Sequence, residues 1–368
     1  MSDILRTGIR NARNVLRYLY GFGAIDDLGE ILSERRAINS GPVVFFVDHF
    51  FEQKDFMKQL NAVLQEDLVI FINTKDEPTT TQVNNIYTQV LQKTPELPTA
   101  LVGIGGGATM DVTKAVSNLL TNGGKAEDYQ GWDLVKVPGI YKIGIPTLSG
   151  TGAESTRTCV MTNPVNGLKL GMNSDFTVFD QIILDPDLTA TAPWNQYFYT
   201  GMDAYLHCIE SLNGAYRNAI GDAYSTKTIE LCREIFLGGG MMDPEAREKL
   251  MVASYLGGCA IATSYVGLVH PFSAGLSVVL GIHHCVGNCI AMKAMEEFYP
   301  DYHREFQQMA ERQAVDIPEG ICQDLTTEQY DRLYSATVIH EKPLTNALGK
   351  DFHKLLTPQK VKEIFRRM

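Results

Sequence analysis

Residues 99–120 read TALVGIGGGATMDVTKAVSNLL, an apolar run that passes without a break into three glycines and then into a helical apolar period. Residues 99–104 predict a buried strand and residues 109–120 a helix. Between them Gly105, Gly106 and Gly107 carry no Cβ, so backbone N–H groups can approach a ligand closely where the helix N-terminus offers positive potential. Residues 103–108 fit the pattern G-x-G-x-x-A, which is a weak signal alone and also describes a plain tight turn.

The same rhythm continues outward. Residues 43–48 (VVFFVD), 68–72 (LVIFI) and 141–146 (YKIGIP) read as further strands, and residues 24–32, 56–64 and 78–91 as helices, the last capped near Thr79. Such alternation predicts an α/β lobe with a mostly parallel sheet and helices on both faces. After residues 185–187 (DPD) the composition shifts, and from Pro193 onward long helical periods such as 222–236 and 244–262 dominate. The expected division is therefore an α/β lobe over 1–187 and an all-helical lobe over 188–368. The basic amphipathic ends, 10–17 and 357–368, read as solvated segments.

With 368 residues the chain is long enough for two lobes with substantial cores, and 45% hydrophobic with 20% charged residues is ordinary for a water-soluble protein. A net charge of −11 argues against a nucleic-acid partner. There is no signal-peptide pattern at the N-terminus and no run of apolar residues long enough to span a bilayer, so no membrane partner and a cytoplasmic location are expected. Seven cysteines, an odd number scattered through apolar contexts, suit a reducing compartment.

An ordinary dinucleotide fold places an acid about 20 residues past the glycines, at the end of the next strand. YKIGIP carries none, and the acid stands upstream as Asp48, at the end of the first strand. A carboxylate there accepts from ribose hydroxyls and repels a 2′-phosphate, favouring NAD over NADP; a solvated acid at a strand end has the same appearance. Asp111 and Lys114 fall in the first turns of the glycine-run helix, where Lys114 is placed to neutralise pyrophosphate or to pair with Asp111. A second small-residue loop, SGTGAE at 149–154, offers the hydroxyls of Ser149 and Thr151 to the pyrophosphate or the nicotinamide ribose. Lys169 and Arg157 are basic candidates for ligand contact, with a surface ion pair as the plain alternative.

The helical half holds a second kind of signal. In GMDAYLHCIE, residues 201–210, Asp203 and His207 are four apart and share one helix face. His270 and His284 bound HPFSAGLSVVLGIHH, a segment with almost nothing else to satisfy a buried imidazole. One carboxylate and three imidazoles suit one divalent ion, Fe²⁺ or Zn²⁺, with room for a substrate oxygen. Cys285 and Cys289 are rival ligands, and a hydrogen-bonded pair without metal accounts equally for Asp203 and His207 taken alone.

Together these stretches resemble the iron-containing (group III) alcohol dehydrogenases, whose fold is related to dehydroquinate synthase. The resemblance runs through YGFGAIDDLGEIL, GGGATMDVTKA, IPTLSGTGAEST, ILDPDLTATAP, GMDAYLHCIES and the histidine segment. It implies metal ligation by Asp203, His207, His270 and His284, and a cofactor motif on Gly105, Gly106, Gly107, Asp111 and Lys114, with Ala108 where serine is common. It further implies NAD preference at Asp48, a nucleotide loop from Thr147 to Gly152, and a homodimer. The implied reaction is hydride transfer between a primary alcohol or its aldehyde and nicotinamide.

Two positions depart from the family pattern. Ala274 stands where many members have a further histidine for the substrate proton, and Cys285, preceded by the extra His283, stands where glycine is usual. His283 is therefore a candidate for the proton path. The segment also resembles the sugar-oxidising branch, the 3-deoxy-D-manno-octulosonate (Kdo) 8-oxidases of modified-sugar and lipopolysaccharide synthesis, which implies a sugar-acid substrate met by Arg157, Lys169 or Arg217. The alternatives are a dehydroquinate synthase-like lyase or cyclase, and a non-catalytic metal-binding protein.

Overall fold

The β-branched apolar runs become the strands of a parallel sheet. The computed structural model describes residues 4–368 apart from Arg6, Arg10 and Asp55. Among the described residues the strands are β1 (Arg17–Tyr20), β2 (Val43–Asp48), β3 (Leu68–Ile72), β4 (Ala100–Gly105), β5 (Gly131–Trp132), β6 (Lys142–Pro146), β7 (Thr158–Asn163), β8 (Leu168–Asn173) and β9 (Gln181–Leu184). Six of them form one all-parallel sheet in the order β1-β9-β6-β4-β2-β3. Around it lie α1 (Leu28–Ile38), α2 (Phe56–Gln59), α3 (Thr80–Lys93) and α4 (Gly107–Asn122).

Side-chain alternation shows why β2 and β4 read as continuous apolar runs. Val44, Phe46 and Leu101 join one buried cluster, while Val43, Phe45, Val47, Val102 and Ile104 join another, so both faces of the sheet are covered. Helix α3 begins as its sequence predicts, with the Thr79 hydroxyl accepting from Gln82 N–H at 3.0 Å.

This α/β unit comprises Arg13–Leu148 and Ala153–Thr191. A second, helical unit begins at Ala192 and also includes Ser149–Gly152 and the residues up to Ala12. The chain thus changes unit more than once, whereas composition suggests a single boundary at 187. The helical unit contains α5 (Trp194–Asn213), α6 (Ala219–Phe236), α7 (Pro244–Thr263), α8 (Val269–Leu280), α9 (His284–Lys293), α10 (Pro300–Arg312), α11 (Thr327–Val338), α12 (Glu341–Leu348), α13 (Phe352–Leu355) and α14 (Pro358–Phe365). No helix among the described residues is long and apolar enough to cross a membrane.

Several elements differ from the sequence expectation. Residues 17–20 form β1, paired in parallel with β9, a strand not read from the sequence; residues 11–17 are exposed or half-buried, in keeping with the solvated opening read over 10–17, and Arg10 lies outside the described residues. The helix read over 56–64 stops at Gln59. Strands β7 and β8 form an antiparallel hairpin joined by β5, a small sheet whose Thr, Asn and Gly content hid it. Helix α14 is not a solvated closing helix, because Val361, Ile364 and Phe365 are fully buried and the Phe365 ring lies 5.0 Å from Phe272 on α8.

That packing ties the chain's last helix to the one that carries His270. Truncating Phe365 to Ala should destabilise the helical unit by about 3–5 kcal/mol. The measurement is the shift in urea midpoint, with exposed Gln359→Ala as a control that should leave it in place.

Candidate metal centre and dinucleotide loop

In the parallel sheet, the chain leaves β2 toward β3 at the edge and leaves β4 toward β6 on the other side. Neighbouring strands whose connections run opposite ways leave a crevice at their carboxyl ends, the usual ligand position in such sheets. Here those ends carry Asp48 and Gly105, on strands paired through Val47 and Ile104. Helix α4 starts directly after, with no side-chain cap, and its first turn closes when Met110 N–H reaches the Gly106 carbonyl. The preceding N–H groups of Gly107, Ala108 and Thr109 have no partner inside the helix and face the strand end.

The glycines have a packing reason as well. A Cβ on Gly105 would lie 2.5 Å from Thr109 Oγ1 and 3.0 Å from Asp48 Cβ, and one on Gly106 would lie 3.2 Å from Leu148. Asp48 is held in place from two directions, by Phe50 N–H at 2.9 Å and by the Thr74 hydroxyl at 3.1 Å from each of its oxygens. Thr74, just past β3, was missed in sequence, and its only signal was its place after a strand neighbouring Asp48. Thr147 continues the line, its N–H donating to the Gly105 carbonyl at 3.0 Å.

Asp111 and Lys114 make their direct hydrogen bonds to the β7 region. Asp111 accepts from Val160 N–H at 2.9 Å, and burial pushes its carboxyl up to about 6 against the opposing pull of Lys114. Lys114, fully buried, donates to the Thr156 carbonyl, the Thr156 hydroxyl and the Thr158 carbonyl at 2.9–3.1 Å. Its ammonium fastens α4 to the hairpin. Lys169 pairs with Glu77 at 3.1 Å. Arg157 pairs with Asp133 and with Asp175, the latter at 3.2 Å, and Arg217 pairs with Asp222 at 2.9 Å.

In the helical unit, Ser149 is buried with its hydroxyl lacking any partner among the described residues. The loop's glycines serve contact. Gly150 has a φ of +144, and a Cβ there would lie 1.6 Å from the Thr200 carbonyl of α5; one on Gly152 would meet Gly258 of α7 at 2.6 Å.

Three helices converge on the second site. Donor atoms of Asp203 (α5), His270 (α8) and His284 (α9) all lie within 4.8 Å of one another. His207, one turn after Asp203, joins through Asp203 Oδ1 at 3.4 Å and by stacking on His270, ring centroids 4.7 Å apart at 16°. Asp203 Oδ1 stands 3.2 Å from His270 Nε2, and Asp203 Oδ2 stands 3.7 Å from His284 Nε2. Ligand atoms at about 2.0–2.1 Å from a tetrahedral ion are about 3.4 Å apart, so Asp203, His270 and His284 are spaced to fit one small cation, with His207 beside them through Asp203. His207 Nδ1, buried and without a partner among the described residues, is free of any tie that would turn Nε2 away.

Glu210, two turns past Asp203 on α5 and 1% exposed, stands behind His270. Its carboxylate takes a hydrogen bond from Val269 N–H and one from His270 Nδ1, leaving Nε2 directed at Asp203. Asn288, fully buried on α9, donates through Nδ2 to Asp203 Oδ1 at 2.7 Å. Sequence reading missed both, although Glu210 repeats the helical face of Asp203 and Asn288 lies one turn after His284. Cys285 Sγ comes within 3.8 Å of Asp203 Oδ2. His283 is exposed at the N-cap of α9, its carbonyl accepting from Gly287 N–H, and Ala274 is buried on α8.

The electrostatics follow from burial and charge. Burial raises the Asp203 carboxyl, but His207, His284 and His270 outweigh it and hold the group below the usual carboxylate range. Burial likewise lowers His270, and the charges of Glu210 and Asp203 overcome it to push the imidazole up to about 10. Burial wins at His207, which falls to about 4 and is neutral near pH 7.

Comparison with known proteins fits this arrangement. Residues 16–186 match the family described as iron-containing alcohol dehydrogenase, and residues 197–334 match its C-terminal domain. The chain is 30% identical over 278 residues to the NAD-dependent methanol dehydrogenase of Bacillus methanolicus, covering 74% of this chain and 71% of that enzyme. It is 36% identical over 188 residues to the sulfoacetaldehyde reductase of Bilophila wadsworthia, which is 50% of this chain and 48% of that one. A sulfoacetaldehyde reductase from Bifidobacterium kashiwanohense, solved with NAD⁺, shares the fold with a TM-score of 0.79 at 21% identity over 97% of this chain and 98% of its own. Matches to both halves of one family, over a chain whose α/β unit and helical unit take the corresponding forms, establish that this protein belongs to the iron-containing alcohol dehydrogenases.

Proposed function

We propose that the protein is an NAD-linked, metal-dependent dehydrogenase that moves a hydride between a small primary alcohol, or its aldehyde, and nicotinamide. The observation that carries the reading is the convergence of buried Asp203 and His270 with half-buried His284, and Glu210 behind His270. Asp203, His207, His270 and His284 would hold a divalent ion, which would supply Lewis-acid polarisation of the substrate oxygen. Iron is the metal in the family's description, and the donor set suits both Fe²⁺ and Zn²⁺.

The chain's own groups do the rest. Glu210 keeps a proton on His270 Nδ1, which would leave the Nε2 lone pair to hold a cation. His207, already neutral through burial, needs no proton removed. Asp203 stays ionised and supplies the negative charge that a cation requires. Asp48, oriented by Thr74 and Phe50 N–H, is suited to ribose hydroxyls and repels a 2′-phosphate. The uncapped start of α4 offers N–H groups to pyrophosphate. With Ala274 lacking any titratable group, the proton leaves through water or by way of exposed His283.

The sugar-acid reading, oxidation of a 3-deoxy-octulosonate at C8, asks for a basic side chain to meet the substrate carboxylate. Arg157, Lys169 and Arg217 each already face an acidic partner. A small alcohol or aldehyde with no carboxylate to place is therefore favoured.

The deciding experiment incubates iron-loaded protein and NAD⁺ with primary alcohols from methanol upward and with 3-deoxy-octulosonate, following absorbance of NADH. NADH should accumulate with the small alcohols. Substrate turnover without net NADH would instead favour the lyase reading. His270→Ala should lose its metal by elemental analysis and its turnover together, and Glu210→Gln should weaken metal affinity about 10–100-fold. Asp48→Ala should raise kcat/KM for NADP relative to NAD by about tenfold, equivalent to about 1.4 kcal/mol; an unchanged ratio removes Asp48 from cofactor choice.

A further inference from the structure

Asn288 sits among the donors of the metal-holding cluster, closer to them than its place one turn past His284 required. Its amide nitrogen is 2.7 Å from Asp203 Oδ1, 3.3 Å from His270 Nε2 and 3.3 Å from His284 Nε2. Separations of about 3 Å are those between neighbouring ligand atoms around one small cation. A nitrogen belongs there only while the Asp203 carboxylate dominates the local field, because N–H donates to it.

The other end of the amide is poorly served. Oδ1 is buried and has no hydrogen-bond partner among the described residues. Leaving a buried carbonyl without a donor costs about 1–3 kcal/mol. The two ends of a carboxamide are nearly equal in size and exchange by rotation about one bond. A dication placed among Asp203, His270 and His284 reverses the local field, repelling the NH₂ group and attracting the carbonyl oxygen.

We propose that Asn288 turns its carboxamide when metal binds and gives Oδ1 to the ion as an additional oxygen ligand. The inference rests on reading Asp203, His270 and His284 as the group that holds the metal, and it extends the ligand set of one carboxylate and three imidazoles. A further neutral oxygen raises the coordination number that the chain offers and hardens its donor set. Both changes favour Fe²⁺, which accepts five or six ligands, over tetrahedral Zn²⁺.

The test compares Fe²⁺-loaded wild type, Asn288→Leu and Asn288→Asp by X-ray absorption at the iron edge and by the rate of iron loss to a chelator. Asn288→Leu should show one fewer oxygen or nitrogen neighbour, a stronger pre-edge feature and loss of iron at least about tenfold faster. Asn288→Asp should keep the coordination number. An unchanged coordination number in Asn288→Leu overturns the proposal whatever the release rate, since Asn288 then only positions Asp203. Slower release in that variant also overturns it, because the amide then merely blocks the ion. Should the leucine variant not fold, a metal-loaded wild-type crystal decides: an amide atom of Asn288 within bonding distance of the ion supports the proposal, and none there overturns it. Wild type that binds no iron at all is a separate result, which brings down the metal reading itself.

Discussion

Asp203 and Glu210 lie on one face of α5, and both are shut away from water. Two carboxylates in an apolar interior are tolerated only if positive charge and hydrogen bonds surround them. His270 bridges them, Nδ1 to Glu210 and Nε2 to Asp203. A proton on each nitrogen leaves the group one negative charge in excess. A dication with all imidazoles neutral brings the sum to zero, so a doubly charged ion balances the two acids more fully than a proton does.

That requirement explains the helical unit's density about α5. Tyr197, Phe198, Met202, Tyr205, Leu206 and Ile209 of this helix are all buried in the unit's core, and the Phe198 ring meets Phe236 of α6 edge-on at 5.4 Å. Low dielectric strengthens each contact within the cluster and raises the cost of leaving any member unpaired. Close packing also fixes the positions of donor atoms that come from three separate helices, which no single helix supplies. The α/β unit faces a different constraint. The features proposed for the cofactor are strand ends and a helix start, positions fixed by sheet topology, and only the identity of Asp48 and the smallness of the glycines are chosen by sequence.

This difference governs what the sequence alone reveals. The α/β architecture is legible because residues buried on both sheet faces must be apolar in a continuous run, and β2 and β4 show it. The hairpin of β7 and β8 is not, since its residues are half-exposed and carry Thr, Asn and Gly. The spacing of Asp203 and His207 is legible because a helix enforces it. The meeting of α5, α8 and α9 is not, being set by packing across long sequence distances, and the family resemblance supplied it. Glu210 and Asn288 went unread because they satisfy other side chains, and an acid or an amide within a helix carries no mark of what stands opposite.

The second glycine loop shows how one sequence signal admits two physical causes. Small residues at 149–152 suggest backbone held close to a phosphate, as at 105–107. Gly150 and Gly152 both have positive φ, and the Cβ of any other residue would enter the backbone of α5 at Thr200 and of α7 at Gly258. Those constraints are intramolecular and suffice to demand glycine with no ligand present. Thr200 precedes Asp203 by less than one helical turn, so the loop bears on the helix segment that presents the carboxylate. A residue with a side chain at Gly150 would displace the start of that segment, and with it the one acid on which the donor cluster converges. The loop's small residues are thus tied to the helix that carries Asp203, while the buried Ser149 hydroxyl has no partner among the described residues.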